Sequence, residues 1–205
     1  MKIEIVKPAE IETRSFEIIG EILGGRVLDP ENEAVIKRCI HTSADFDYAD
    51  NLHFSKGVTS LLADALKQGA DIVTDTMMAR AGINKSKLGQ FGGQVHCFMA
   101  DEDVARDAAD RGVTRATVCM EKACAIKKPV IIAVGNAPTA LIRLKELIEE
   151  GRILPEGIIA APVGFVNVVE SKDQIMELEI PHIVARGRKG GSNIAAAICN
   201  ALLYR

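Results

Sequence analysis

Tryptophan is absent from the 205-residue chain, and only two Tyr and six Phe supply aromatic rings. A stacking platform for nucleic-acid bases needs more than that. An excess of positive charge is missing too: 25 Lys and Arg stand against 28 Asp and Glu, for a net charge of −3. A protein built mainly to coat nucleic acid is thereby excluded. The five cysteines (Cys39, Cys97, Cys119, Cys124 and Cys199) are odd in number and contain no C-x-x-C pair. They read as buried thiols in a reducing cytoplasm, with no metal site expected. No uncharged run reaches the ~20 residues of a membrane span; Pro129–Ile142 and Gly190–Tyr204 come nearest. Glu4 and Lys7 break the apolar N-terminus, so no secretory signal is expected. Catalytic motifs are lacking as well. There is no G-x-x-x-x-G-K-[ST] or G-x-G-x-x-G loop for phosphates, no G-x-S-x-G elbow for acyl transfer and no H-E-x-x-H for a metal.

What is present is an alternation. The short apolar runs Ile72–Thr74, Val95–Phe98, Val130–Val134, Ile158–Ala161 and Ile183–Ala185 are each followed by turn residues and separated by helix-length segments. Buried parallel strands read this way, apolar on both faces. On one face of the segment before Gly151 lie Leu141, Ile142, Leu144, Leu147 and Ile148. Asn167, three residues before Glu170, is expected to cap a helix over Val168–Leu178, and Ser192 another over Asn193–Tyr204. About the first 65 residues read as mostly helical. The pattern predicts one α/β domain, residues 1–205, with a parallel sheet covered by helices on both faces. In such a sheet a ligand sits beyond the carboxyl ends of the strands. The candidate loops are then Asp75-Thr76, Ala100-Asp101, Gly135–Pro138, Pro162–Phe165 and Arg186–Ser192.

The small net charge hides an asymmetry. Thr76–Ala100 holds no acid and three bases, Arg80, Lys85 and Lys87, while Ile180–Arg205 holds no acid and four, Arg186, Arg188, Lys189 and Arg205. Glycines and a helix N-terminus in these windows bring backbone N–H groups within reach of an anion. A small anionic ligand is implied. Among the histidines, His96 and His182 fall in expected strands and His53 in a polar stretch with no obvious partner. His41 differs. It follows the apolar stripe Val35, Ile36, Cys39, Ile40 and opens the polar run Thr42-Ser43-Ala44-Asp45. A half-buried imidazole flanked by hydroxyl and carboxylate groups is the expectation, and it is the setting of a general acid working near neutral pH.

Five blocks together resemble the precorrin-8X (or cobalt-precorrin-8) methylmutases of corrin biosynthesis: His41–Asp45, Thr74–Met78 through Gly82-Ile83, Gly135–Leu141, Pro162–Val166 through Glu170-Ser171-Lys172, and Arg186–Asn193. The resemblance implies a three-layer, flavodoxin-like fold with a helical N-terminal segment, a homodimer, and migration of a methyl group from C11 to C12 of the corrin ring to give hydrogenobyrinic or cobyrinic acid. It implies no cofactor; cobalt, where present, belongs to the substrate. On this reading an anionic tetrapyrrole meets the basic windows, with Met77, Met78 and Phe165 facing the disc. His41 is the proton donor, oriented by Thr42 or Asp45. Arg14 and Ser15 correspond to a substrate-contact region, and Arg80, Arg115, Asn136, Arg186, Arg188 and Lys189 are binding candidates. The competing readings are a non-catalytic tetrapyrrole carrier and a flavodoxin-like enzyme acting on a nucleotide or sugar phosphate.

Overall fold

A computed structural model describes residues 3–205. Six strands form one sheet: β1 (Leu52–Phe54), β2 (Asp71–Thr74), β3 (Val95–His96), β4 (Val130–Val134), β5 (Gly157–Ala160) and β6 (His182–Ala185). Their spatial order is β1-β6-β5-β4-β2-β3. All neighbours are parallel except β1, which runs antiparallel to β6 with Leu52 opposite Ala185 and Phe54 opposite Ile183. The five parallel strands thus follow the flavodoxin-like order, which reverses direction between β2 and β4.

Alternation along each strand builds two cores. Ile72, Ile131, Ile159 and Ile183 face one layer, which includes α1 (Ile11–Leu23), α2 (Glu33–Ser43), α4 (Val58–Lys67) and α11 (Ser192–Leu203). Val73, Ile132, Ile158 and Val184 face the other, made by α7 (Glu102–Arg111), α8 (Arg115–Ala123), α9 (Pro138–Glu149) and α10 (Val168–Met176). The remaining α-helices are α3 (Tyr48–Asn51), α5 (Met77–Gly82) and α6 (Lys85–Gln90), and a 3-10 turn over Pro8–Glu10 precedes α1.

Several local expectations are corrected. The N-terminal region is not helical throughout, because Leu52–Phe54 supplies an edge strand whose partner lies far along the chain. Val95–Phe98 contributes only its first two residues to the sheet. Asn167 stands at the cap position of α10 in the left-handed region (φ 56°), so its side chain makes no capping bond. Ser192 lies inside α11, and the cap position passes to Gly191.

Candidate active site

The loops beyond the carboxyl ends of the strands are laced together. Asp75, buried at the end of β2, accepts hydrogen bonds from the backbone N–H groups of Gly135 (2.7 Å), Asn136 (2.9 Å) and Ala137 (2.7 Å). Burial raises its carboxyl above the usual carboxylate value, and the three N–H groups bonded to the ionised form offset only part of that rise. Asp75 therefore fills the nest at the start of α9, the switch point where a flavodoxin-like protein would seat a phosphate. An external phosphate would have to displace this carboxylate, which argues against the nucleotide or sugar phosphate reading. Thr76 caps α5 through Ala79 N–H and its hydroxyl meets that of Ser192 at 2.7 Å. Gly135 is required here, since a Cβ would fall 2.6 Å from Ser192 Cα. The two acid-free windows thus meet at the Thr76–Ser192 contact.

The loop 186–191, which leads into α11, folds against the segment that follows β5. Gly191 N–H donates to Ala161 O (2.8 Å) and Gly164 N–H to Arg188 O (3.2 Å). Gly190 passes so near that a Cβ would lie 2.2 Å from Ala161 O. Lys189 Nζ donates to Asp45 and Asp47, each at 2.6 Å, tying this loop to the end of α2. The pairing lowers Asp45 and raises Lys189. Arg186 donates to His53 Nδ1 (2.8 Å), and His53 stacks on His182 with ring centroids 5.4 Å apart. Burial, Arg186 and His182 all lower His53 below the usual histidine value.

Between α2, α5 and α11 lies a cleft of about 880 Å³, walled by both windows (Gly82, Asn84, Asn193 and Asn200 among others) and by Arg38 and Thr42. Its volume falls within the range of ligand pockets. A smaller hollow of about 250 Å³ includes Ser43, Asp45, Lys189 and Asn193, so Asn193 borders both. Among the described residues no cluster of His, Cys, Asp or Glu could hold a metal ion, and no helix is long and apolar enough to cross a membrane.

The family profile for precorrin-8X methylmutase matches residues 10–205. The chain belongs to this family. A cobalt-precorrin-8 methylmutase of Salmonella typhimurium is 45% identical over 206 residues, covering 98% of this chain and 96% of the relative. A precorrin-8X methylmutase of Pseudomonas aeruginosa is 37% identical, covering 88% and 86%. Among solved structures, the precorrin-8X methyl mutase of Thermus thermophilus superposes with a TM-score of 0.86 at 36% identity, covering 95% of this chain and 96% of that one.

Within this methylmutase family member the expected site residues are only partly brought together. His41 is exposed rather than half-buried; its ring stacks on Phe16 of α1 at 5.3 Å, and Arg38 lies over the same Phe16 at 5.0 Å. Neither Thr42 nor Asp45 orients it: Thr42 lines the cleft and Asp45 is taken by Lys189. The apolar stripe that suggested burial covers only the α11 side of α2. Arg14 is held by Glu4, Glu17 and Glu21, and Ser15 donates to its own helix at Ile11 O. Arg80 donates to Val95 O. Arg115 is exposed at the start of α8, whose cap Thr114 meets Thr139 at the start of α9, placing it at the β4 side of the rim. Asn136 is exposed after β4 and Arg188 after β6, both with side chains free of hydrogen bonds among the described residues. Met77, Met78 and Phe165 are exposed at the same end of the sheet. Missed at first were Arg38, one helical turn before Thr42, and Asn193 in the last signature block. The spacing of residues 38 and 42 was the available signal for the first.

Proposed function

We infer that this chain is the methylmutase acting on precorrin-8 or its cobalt form in cobalamin biosynthesis, moving the methyl group from C11 to C12 of the macrocycle. The observation that carries the reading is the family match across residues 10–205. The shift is intramolecular: one carbon–carbon bond breaks and one forms within the same molecule. Its atoms balance without a redox partner or methyl donor, so no cofactor is proposed. His41, exposed beside the cleft-lining Arg38 and Thr42, donates a proton to the conjugated ring system near ring C. The π system becomes electron-poor, the barrier to migration falls, and loss of a proton then restores the conjugated product. Such positioned transfer contributes about 10²–10⁴ in rate. Phe16 holds the imidazole plane by stacking. The rim bases Arg115, Arg186 and Arg188 and the Asn136 amide receive the acetate and propionate groups. Lys189, Arg80, Arg14 and Ser15 already hold partners here, as Arg186 does in His53. The enzyme is proposed to work in the cytoplasm as a homodimer; the apolar side chains of Phe165 (84% exposed) and Val166 (79%) at the rim are the surface such an association would cover, which leaves Met77 and Met78 for the disc.

The test mixes purified protein with precorrin-8, or its cobalt form, and follows the visible spectrum for growth of the corrin product. Wild type should convert the substrate without additives, while His41→Ala should bind it and convert it at least about 10²-fold more slowly. Turnover of His41→Ala at the wild-type rate removes the proton-donor assignment. Stoichiometric binding by wild type with no spectral change establishes the carrier reading instead.

A further inference from the structure

Lys172 is the only cation fully removed from solvent among the described residues, at 0% exposure. It belongs to α10, beneath the end of β6, and no carboxylate forms an ion pair with it among the described residues. Its ammonium donates to two carbonyls, Gly187 O at 2.7 Å and Lys189 O at 2.9 Å. An apolar side chain of similar volume would fill the space without the desolvation penalty of a buried charge. What the lysine provides is the grip on the loop. In a trans peptide the N–H points opposite to the preceding C=O. Holding the carbonyls of Gly187 and Lys189 inward therefore turns the N–H groups of Arg188 and Gly190 outward. Neither N–H has a partner among the described hydrogen bonds. Gly187 (φ 71°) and Gly191 (φ 134°) supply the backbone freedom this path needs.

We propose that Lys172 is a positioning residue for the methylmutase reaction, fixing the loop 186–191 so that its outward N–H groups and the Arg188 guanidinium receive a substrate carboxylate. This rests on the reading of that loop as substrate-binding. Lys172 acts through the loop and does not touch substrate. Burial lowers it to about 8, and a neutral amine keeps both donor bonds, so the grip survives loss of the proton.

The test uses the full chain with precorrin-8 or its cobalt form. Lys172→Met should fold and raise KM by about tenfold, the loss expected for hydrogen bonds from a charged group, with little change in kcat. For Lys172→Ala, propylammonium should lower KM toward the wild-type value and potassium chloride of equal strength should not. Arg188→Ala serves as the reference for the loop itself. If Arg188→Ala raises KM and folded Lys172→Met does not, Lys172 has no positioning role although the loop binds substrate. If neither raises KM, the loop is not the carboxylate site and the proposal falls with that reading. Amide exchange in the unmutated protein supplies an arm independent of folding: substrate should slow exchange at Arg188 and Gly190, and unchanged exchange overturns the proposal.

Discussion

At the scale of single residues, the chain shows how little a residue's type says about its partner. Arg14 and Lys189 were legible as bases, and both are saturated by acids. The acids of Lys189, Asp45 and Asp47, lie more than a hundred residues earlier, and nothing in the local pattern announces the pairing. Lys172 falls within the segment expected to be helical, and only the packing of α10 under β6 reveals its burial. Its environment has a consequence for stability. Lys172 titrates near 8 in the folded chain against 10.5 for an unburied lysine. Between those values the unfolded chain holds the proton and the folded one does not, so this group's contribution to stability rises with pH across that window. Urea unfolding of wild type and Lys172→Met at pH 7.5 and pH 10 should show the difference between them moving in favour of the lysine, by about 3 kcal/mol at most. A difference independent of pH would mean that Lys172 remains protonated.

Elements were more legible than contacts. A strand buried on both faces, such as Val130–Val134, announces itself as an unbroken apolar run. β1 did not, because three residues, Leu52-His53-Phe54, are too short for a period of two to register. The caps failed for a different reason. Asn167 and Ser192 have the right chemistry, but Asn167 has a left-handed backbone, and Ser192 lies inside the helix with its hydroxyl against that of Thr76. The junction of β2 with β4 rests on Asp75, whose two oxygens accept three N–H groups. In Asp75→Asn the amide nitrogen would face at least one of those donors. Thermal and urea unfolding should show a loss of about 2–3 kcal/mol, from unmade bonds to a buried group. An unaltered unfolding midpoint would show that the nest does not need a carboxylate.

On the scale of the whole molecule, the five loops foreseen at one end of the sheet divide by role. Those after β2, β4, β5 and β6 are cross-linked around the start of α11, and the arrangement explains why two basic windows far apart in sequence share a cleft. The windows converge through backbone and side-chain packing rather than by aiming every base inward; Lys87 lies over Phe91 and Tyr204, and Arg205 bonds Glu31 O. The exposed apolar rim carries the corresponding prediction. Replacing Phe165 and Val166 together with Asp should convert a dimer to a monomer in sedimentation and reduce turnover. A wild-type chain that sediments as a monomer removes the homodimer from the proposed function.

The position of α11 bears on how the chain reaches this state during synthesis. It packs on α2, α4 and α5 and against β4 and β5, so one of the two cores cannot close until residues 192–203 leave the ribosome. At about 5–20 residues per second, the apolar inner faces of α2 and α4 wait about 6–30 seconds for the helix that covers them. Throughout that interval the nascent chain presents a chaperone with a long hydrophobic surface.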